Sequence, residues 1–137
     1  MDSFSKALLQ DTREIIIVPT VYKFDNFKQM ADQFDLNERD VVLTNEFIYE
    51  PFMKALGLKC NFVFQETFAK GEPSEEMINI MYDRIPYDSY DRVIAVGGGA
   101  IMDLCKLLGC KRPNSIHELY FKREPIVHEK EVIAIPT

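Results

Sequence analysis

"RVIAVGGGAIMDLCKLLG", residues 92–109, runs from β-branched apolar residues through three consecutive glycines into a segment with helical spacing at Ile101, Leu104, Cys105 and Leu108. The order is strand, glycines, helix. A helix N-terminus offers unpaired amides and a partial positive charge, and a phosphate-bearing ligand can use both when no side chain blocks its approach. Gly97, Gly98 and Gly99 remove that block. A tight strand-to-helix turn that needs positive φ is the alternative, and fewer glycines would satisfy it. The stretch is neither the G-x-G-x-x-G fingerprint, because Met102 stands where the third glycine belongs, nor a Walker loop, because no G-K-[ST] follows.

The same character repeats outward. "EIIIV" (14–18), "DVVLT" (40–44), "NFVFQ" (61–65) and "EVIAIP" (131–136) read as short buried strands beside "RVIAV" (92–96). Helical segments lie between them, over 45–56 closed by Gly57, over 74–84 and over 100–108 closed by Gly109. Ser74 is placed to cap the second of these, with Glu75 and Glu76 at the positive end of its dipole. Strands alternating with helices predict an α/β fold, a Rossmann-like parallel sheet with helices on both faces. Ligands of such sheets sit at the carboxyl ends of the strands.

Composition sets the frame. A chain of 137 residues that is 47% hydrophobic suits one domain over 1–137. With 16 basic against 22 acidic residues and no basic run, neither nucleic acid nor an anionic membrane is an expected partner. Three cysteines without a CxxC pair, and a start that lacks the order of a secretion signal, predict a cytoplasmic protein. His117 and His128 lack metal-ligand spacing and read as surface residues. Cys60 and Cys105 read as buried small hydrophobes, and no Ser-His-Asp or Cys-His arrangement is legible. Tyr82, Tyr87 and Tyr90 read as packing rather than a stacking platform, and Phe47, Tyr49 and Phe52 as core or interdomain contacts.

Asp103 has two readings, a helix-stabilising acid in the first turn or a hydrogen-bond partner of the ligand, and Lys106 is placed to pair with it along the helix.

"RVIAVGGGAIMDLCK" followed by "VIAIPT" resembles the N-terminal half of the iron-containing, group III alcohol dehydrogenases, whose pattern is a glycine triplet, a small residue, two apolar positions, aspartate and then lysine. "VYKFDNF", "DVVLTNEFIYEPF" and "VFQETFAKGEPSEEMIN" are most similar to the 4-hydroxybutyrate dehydrogenases of that family. The resemblance implies that Gly97, Gly98 and Gly99 hold the pyrophosphate of NAD, with NADP as the alternative, and that Asp103 lies toward the nicotinamide. It puts Asn45 where the family has an acid on the adenine ribose, and Ala100 where the family has a serine. Thr137 would open a loop that reaches the cofactor.

The resemblance further implies a C-terminal all-helical domain, outside these residues, that holds a divalent metal, Fe or Zn. The implied reaction interconverts a primary alcohol and its aldehyde by hydride transfer, with 4-hydroxybutyrate and succinate semialdehyde as the expected pair. This stretch alone would then bind a nicotinamide dinucleotide without catalysing, and the face meant for the helical domain would favour a homodimer. A dehydroquinate synthase-like lyase that uses NAD, and a stand-alone nucleotide-binding module, are the competing readings.

Overall fold

The computed structural model describes residues 20–68, 74–113 and 127–137. The strand expected over 14–18 and His117 lie outside these residues. The described chain runs α1 (Phe27–Phe34), β1 (Asp40–Thr44), α2 (Glu46–Phe52), β2 (Asn61–Phe64), α3 (Glu75–Arg84), β3 (Arg92–Gly97), α4 (Gly99–Gly109) and β4 (Glu131–Pro136). All four strands are parallel, in the order β2-β1-β3-β4.

Strand alternation sorts the core into two layers. Val41 and Leu43 of β1 and Val93 and Ala95 of β3 face one way, onto Met77, Ile78 and Met81 of α3 and Ile101, Leu104 and Leu108 of α4. Val42, Ile94 and Val96 face the other way, onto Met30 of α1, Ile48 of α2 and Met53. A residue that alternates into either layer must be apolar, so these strands read as unbroken hydrophobic runs. Each fully buried Val, Ile or Leu contributes about 1.5–3 kcal/mol relative to exposure, and β1 and β3 concentrate that gain at the sheet centre.

The amino end of the sheet is pinned by charge. Arg92 donates through Nε to Asp40 Oδ1 at 2.7 Å and through Nη2 to Asp40 Oδ2 at 3.0 Å, and Nη2 also reaches the Phe34 carbonyl at 2.8 Å. Asp40 is buried, and its Oδ2 also accepts from the Asn37 amide at 2.8 Å. The bidentate pair therefore joins the starts of β1 and β3 to the end of α1. Asp40 raises the Arg92 pKa by hydrogen bonding to it.

Helix ends follow their caps, with two departures from the sequence reading. Ser74 Oγ accepts from the Met77 amide at 3.2 Å and starts α3 where expected. The single helix expected over 45–56 instead stops at Phe52, and a short 3₁₀ turn over Lys54–Leu56 leads to Gly57 at φ 60°. Pro51 lies inside α2, where it has no N–H to give to the Phe47 carbonyl, which weakens this short helix. The second departure is α1, which the reading missed. Asn26 Oδ1 caps it by accepting from Gln29 N at 3.0 Å, and Asp35 closes it in the left-handed region at φ 51°.

At the other end of α4, the last carbonyls are satisfied by tertiary partners. The Tyr90 hydroxyl donates to Leu108 O at 2.6 Å, and the Glu129 and Lys130 amides donate to Gly109 O at 3.0 and 2.9 Å. A Cβ on Gly109 would lie 2.4 Å from Val132 Cγ2 and 3.3 Å from the Lys130 carbonyl oxygen, so glycine here lets α4 approach β4. Gly109→Ala is expected to destabilise the chain by about 1–3 kcal/mol in urea unfolding. Gly99→Ala, where a Cβ meets nothing within 4 Å, should stay within about 0.5 kcal/mol of wild type. Equal losses in the two variants would contradict this packing.

Candidate dinucleotide crevice

Three chain segments converge where β1, β3 and β4 end. Asn45 follows the last residue of β1, Gly97 ends β3, and Thr137 follows β4 and donates its amide to Gly97 O at 3.3 Å. From β1 the chain moves to β2 on one side, while β3 lies on the other. The crevice between the ends of β1 and β3 is thus a topological switch point, where ligands of open α/β sheets bind.

The three glycines have different reasons to be glycine. Gly97 has φ 155°, and a Cβ there would lie 2.7 Å from Ile101 Cδ1 and 3.5 Å from Asn45 Oδ1. Backbone conformation and the packing of Ile101 both require it. Gly98 and Gly99 are exposed, and a Cβ on either meets no heavy atom of the described residues within 4 Å. Gly98 has φ −87° and ψ −167°, which other residues adopt freely. The fold accounts for the first glycine and leaves the other two unexplained.

Beside that open surface, α4 starts without a side-chain cap. Its first intrahelical bond runs from Met102 N to Gly98 O at 3.1 Å, so the amides of Gly99, Ala100 and Ile101 lie at the positive end of the dipole with no partner in the helix. A phosphate fits this chemistry. Thr44 adds a further polar group at the end of β1, because it is fully buried and its Oγ1 has no hydrogen-bond partner among the described residues.

Asn45 is held by residues that the sequence reading missed. Its Nδ2 donates to Gln65 Oε1 at 3.2 Å and to Glu66 Oε1, and Glu66 Oε2 accepts from the Glu46 amide at 2.9 Å. The parallel register sets Thr44 against Phe64 and so brings Asn45 beside the pair that follows β2. A carboxylate therefore sits one hydrogen bond from Asn45.

Asp103 is the fifth residue of α4, in its second turn rather than the expected first, because the helix begins at Gly99. The Lys106 ammonium lies 3.7 Å from its Oδ1, the pairing the sequence suggested. Ala100 is half-buried in the first turn, next to the glycines.

A family model described as iron-containing alcohol dehydrogenase matches residues 19–137. The chain belongs to the iron-containing alcohol dehydrogenase family. It is 40% identical over 121 residues to 4-hydroxybutyrate dehydrogenase of Clostridium kluyveri, a match covering 88% of this chain and 33% of that protein. The chain thus spans about a third of the length of that relative. Its fold resembles the crystal structure of an iron-containing alcohol dehydrogenase with a TM-score of 0.59 at 21% identity, covering 85% of this chain and 38% of that one.

The other polar candidates of this alcohol dehydrogenase family chain are structural. Among the described residues, no group of three or more His, Cys, Asp or Glu is arranged to hold a metal ion. His128 is exposed, and its Nδ1 lies 3.6 Å from Cys110 Sγ, a pairing across an isolated bridge that the sequence did not disclose. It does not activate the thiol, since burial pushes the Cys110 pKa up to about 11. Tyr90 is buried, and Lys130 sits over the Tyr87 and Tyr90 rings at 4.0 and 3.8 Å while donating to both of their carbonyls. The tyrosine run is packing, as expected.

The aromatic residues of α2 divide between the core and the surface. Tyr49 packs on Phe62 and Phe64 at 4.8 and 5.1 Å, but Phe47 and Phe52 are 74% and 67% exposed and leave the core to Ile48 and Met53.

Burial also raises the thiols of Cys60, to about 11, and Cys105. At pH 8 the thiolate of Cys60 or Cys110 is then on the order of a thousandth of the population. Native chain is expected to resist an aromatic disulfide reagent at pH 8 and to yield three thiols on unfolding. A thiol that reacts within seconds in native chain would show an activated cysteine.

Proposed function

We propose that this chain is the nicotinamide-dinucleotide-binding part of a metal-dependent alcohol dehydrogenase, with residues 1–137 forming one cofactor domain. The observation that carries the reading is the open surface at Gly98 and Gly99 beside the uncapped start of α4. The fold gains nothing from two bare residues there, while a pyrophosphate gains close approach to amides and to the helix dipole.

In this reading the free amides at the start of α4, with Gly98 and Gly99 bare beside them, hold the pyrophosphate, and Asn45 and Thr137 border the two nucleoside halves on either side of Gly97. Asp103 lies along α4 toward the nicotinamide, where its partner Lys106 offsets its repulsion of phosphate. A bound nicotinamide would supply hydride acceptance, so that oxidation of a primary alcohol to its aldehyde passes the hydride to the cofactor and the hydroxyl proton to solvent. The relative from C. kluyveri supports 4-hydroxybutyrate and succinate semialdehyde as the pair. The divalent metal, Fe or Zn, belongs in this reading to the greater part of the enzyme's length that this chain does not span. Exposed Phe47 and Phe52 are surfaces for contact with that part or with a second copy in a homodimer.

Calorimetric titration of the chain with NAD and NADP tests the reading. Wild type is expected to bind NAD, and Gly98→Val to lose at least about tenfold in affinity while its unfolding free energy stays within about 0.5 kcal/mol, because the added side chain enters open space. Unchanged NAD affinity in a folded Gly98→Val would remove the pyrophosphate from the glycines.

A further inference from the structure

Selectivity between NAD and NADP is decided by what meets the 2′ position of the adenosine ribose. A carboxylate accepts hydrogen bonds from a ribose diol and repels a phosphate, whereas a neutral amide does neither strongly. In doubly wound sheets that carboxylate stands close to the glycine-bearing strand at the carboxyl end of the sheet. Here the residue beside Gly97 on the neighbouring strand is Asn45, which is neutral.

Glu66 reaches the same place from the next strand over. Its Oε1 accepts from Asn45 Nδ2, and its Oε2 accepts from the Glu46 amide at 2.9 Å, which holds the carboxylate against Asn45. An ionised carboxylate offers about four lone-pair sites, and these two bonds use one on each oxygen. Glu66 is exposed, so a ribose can reach the remaining two. Asn45 in turn lies within van der Waals reach of a Cβ on Gly97, so the glycines, Asn45 and Glu66 form one line across the ends of β3, β1 and β2.

We propose that Glu66 is the specificity-determining residue of this crevice, accepting the 2′- and 3′-hydroxyls of the adenosine ribose and excluding a 2′-phosphate, a role that rests on the dinucleotide reading above. Asn45 positions Glu66 and leaves the charge to it.

A purely structural Glu66 would only tie α2 to the end of β2. Affinity ratios separate the two roles, because loss of a structural tie weakens both cofactors together. The probes are NAD, NADP, ADP and 2′,5′-ADP, titrated into wild-type chain, Glu66→Gln and Asp88→Asn. The last removes an equal charge from the turn before β3, at the opposite end of the sheet. Wild type is expected to prefer NAD to NADP, and ADP to 2′,5′-ADP, by about tenfold or more. Glu66→Gln should narrow both ratios by about tenfold, and Asp88→Asn should leave them unchanged.

Wild type that binds NAD and NADP equally, or ratios that survive Glu66→Gln, would overturn the role of Glu66 and leave the dinucleotide reading standing. Wild type that binds none of the four probes would overturn that reading and the role of Glu66 with it. Wild type that shows no preference for ADP over 2′,5′-ADP overturns the role of Glu66 even if the variant does not fold.

Discussion

β3 is the constraint on which the other elements depend. It pairs with β1 on one side and with β4 on the other, and Val93, Ile94 and Ala95 are fully buried between the two helical layers. A strand paired on both edges and covered on both faces cannot shift register without moving its apolar side chains into the wrong layer. Its amino end is held by the bidentate Arg92–Asp40 pair. Its carboxyl end must turn into α4 within one residue, because β3 ends at Gly97 and α4 begins at Gly99. The position of the α4 amides, and with it the candidate site, is therefore set by a strand buried as deeply as any among the described residues.

The glycine triplet divides between a position the fold requires and two it does not. Gly97 answers to Ile101, whose side chain fills the space a Cβ would need. Gly98 and Gly99 answer to nothing in the described protein. Natural sequences violate local stability rules mainly where function requires it, and exposed glycines at a helix start, where a better capping or helix-forming residue would serve the fold, are such a violation.

Electrostatics in the crevice runs from positive to negative over a short span. The uncapped start of α4 offers partial positive charge, and Glu66, fixed by Asn45 and the Glu46 amide, offers negative charge toward β2. A ligand with an anionic centre and a neutral, hydroxyl-rich flank complements both ends. The opposite end of the sheet carries charge of another kind, with arginines paired to aspartates in bonds that serve the fold.

Much of this was determined by the sequence alone. The strand over Asp40–Thr44, and β3 to within a residue, are legible because a strand covered on both faces carries an unbroken apolar run, and the partly exposed strand over Glu131–Pro136 is legible from its β-branched residues. The start of α3 is legible because capping is local. The glycine triplet discloses a bare turn before a helix for the same reason. The cap and αL closure of α1 and the weakening of α2 by its internal Pro51 are also local signals, present in neighbouring residues. Tertiary structure decided what depends on register between distant segments. Only the parallel pairing of Thr44 with Phe64 brings Glu66 to Asn45, only the approach of α4 to β4 makes Gly109 a packing glycine, and only the turn of Lys130 onto Tyr87 and Tyr90 makes that run a packed cluster. A hydrogen bond between residues far apart in sequence leaves no periodicity behind, so the carboxylate at the end of β2 could be found only once the strands were side by side.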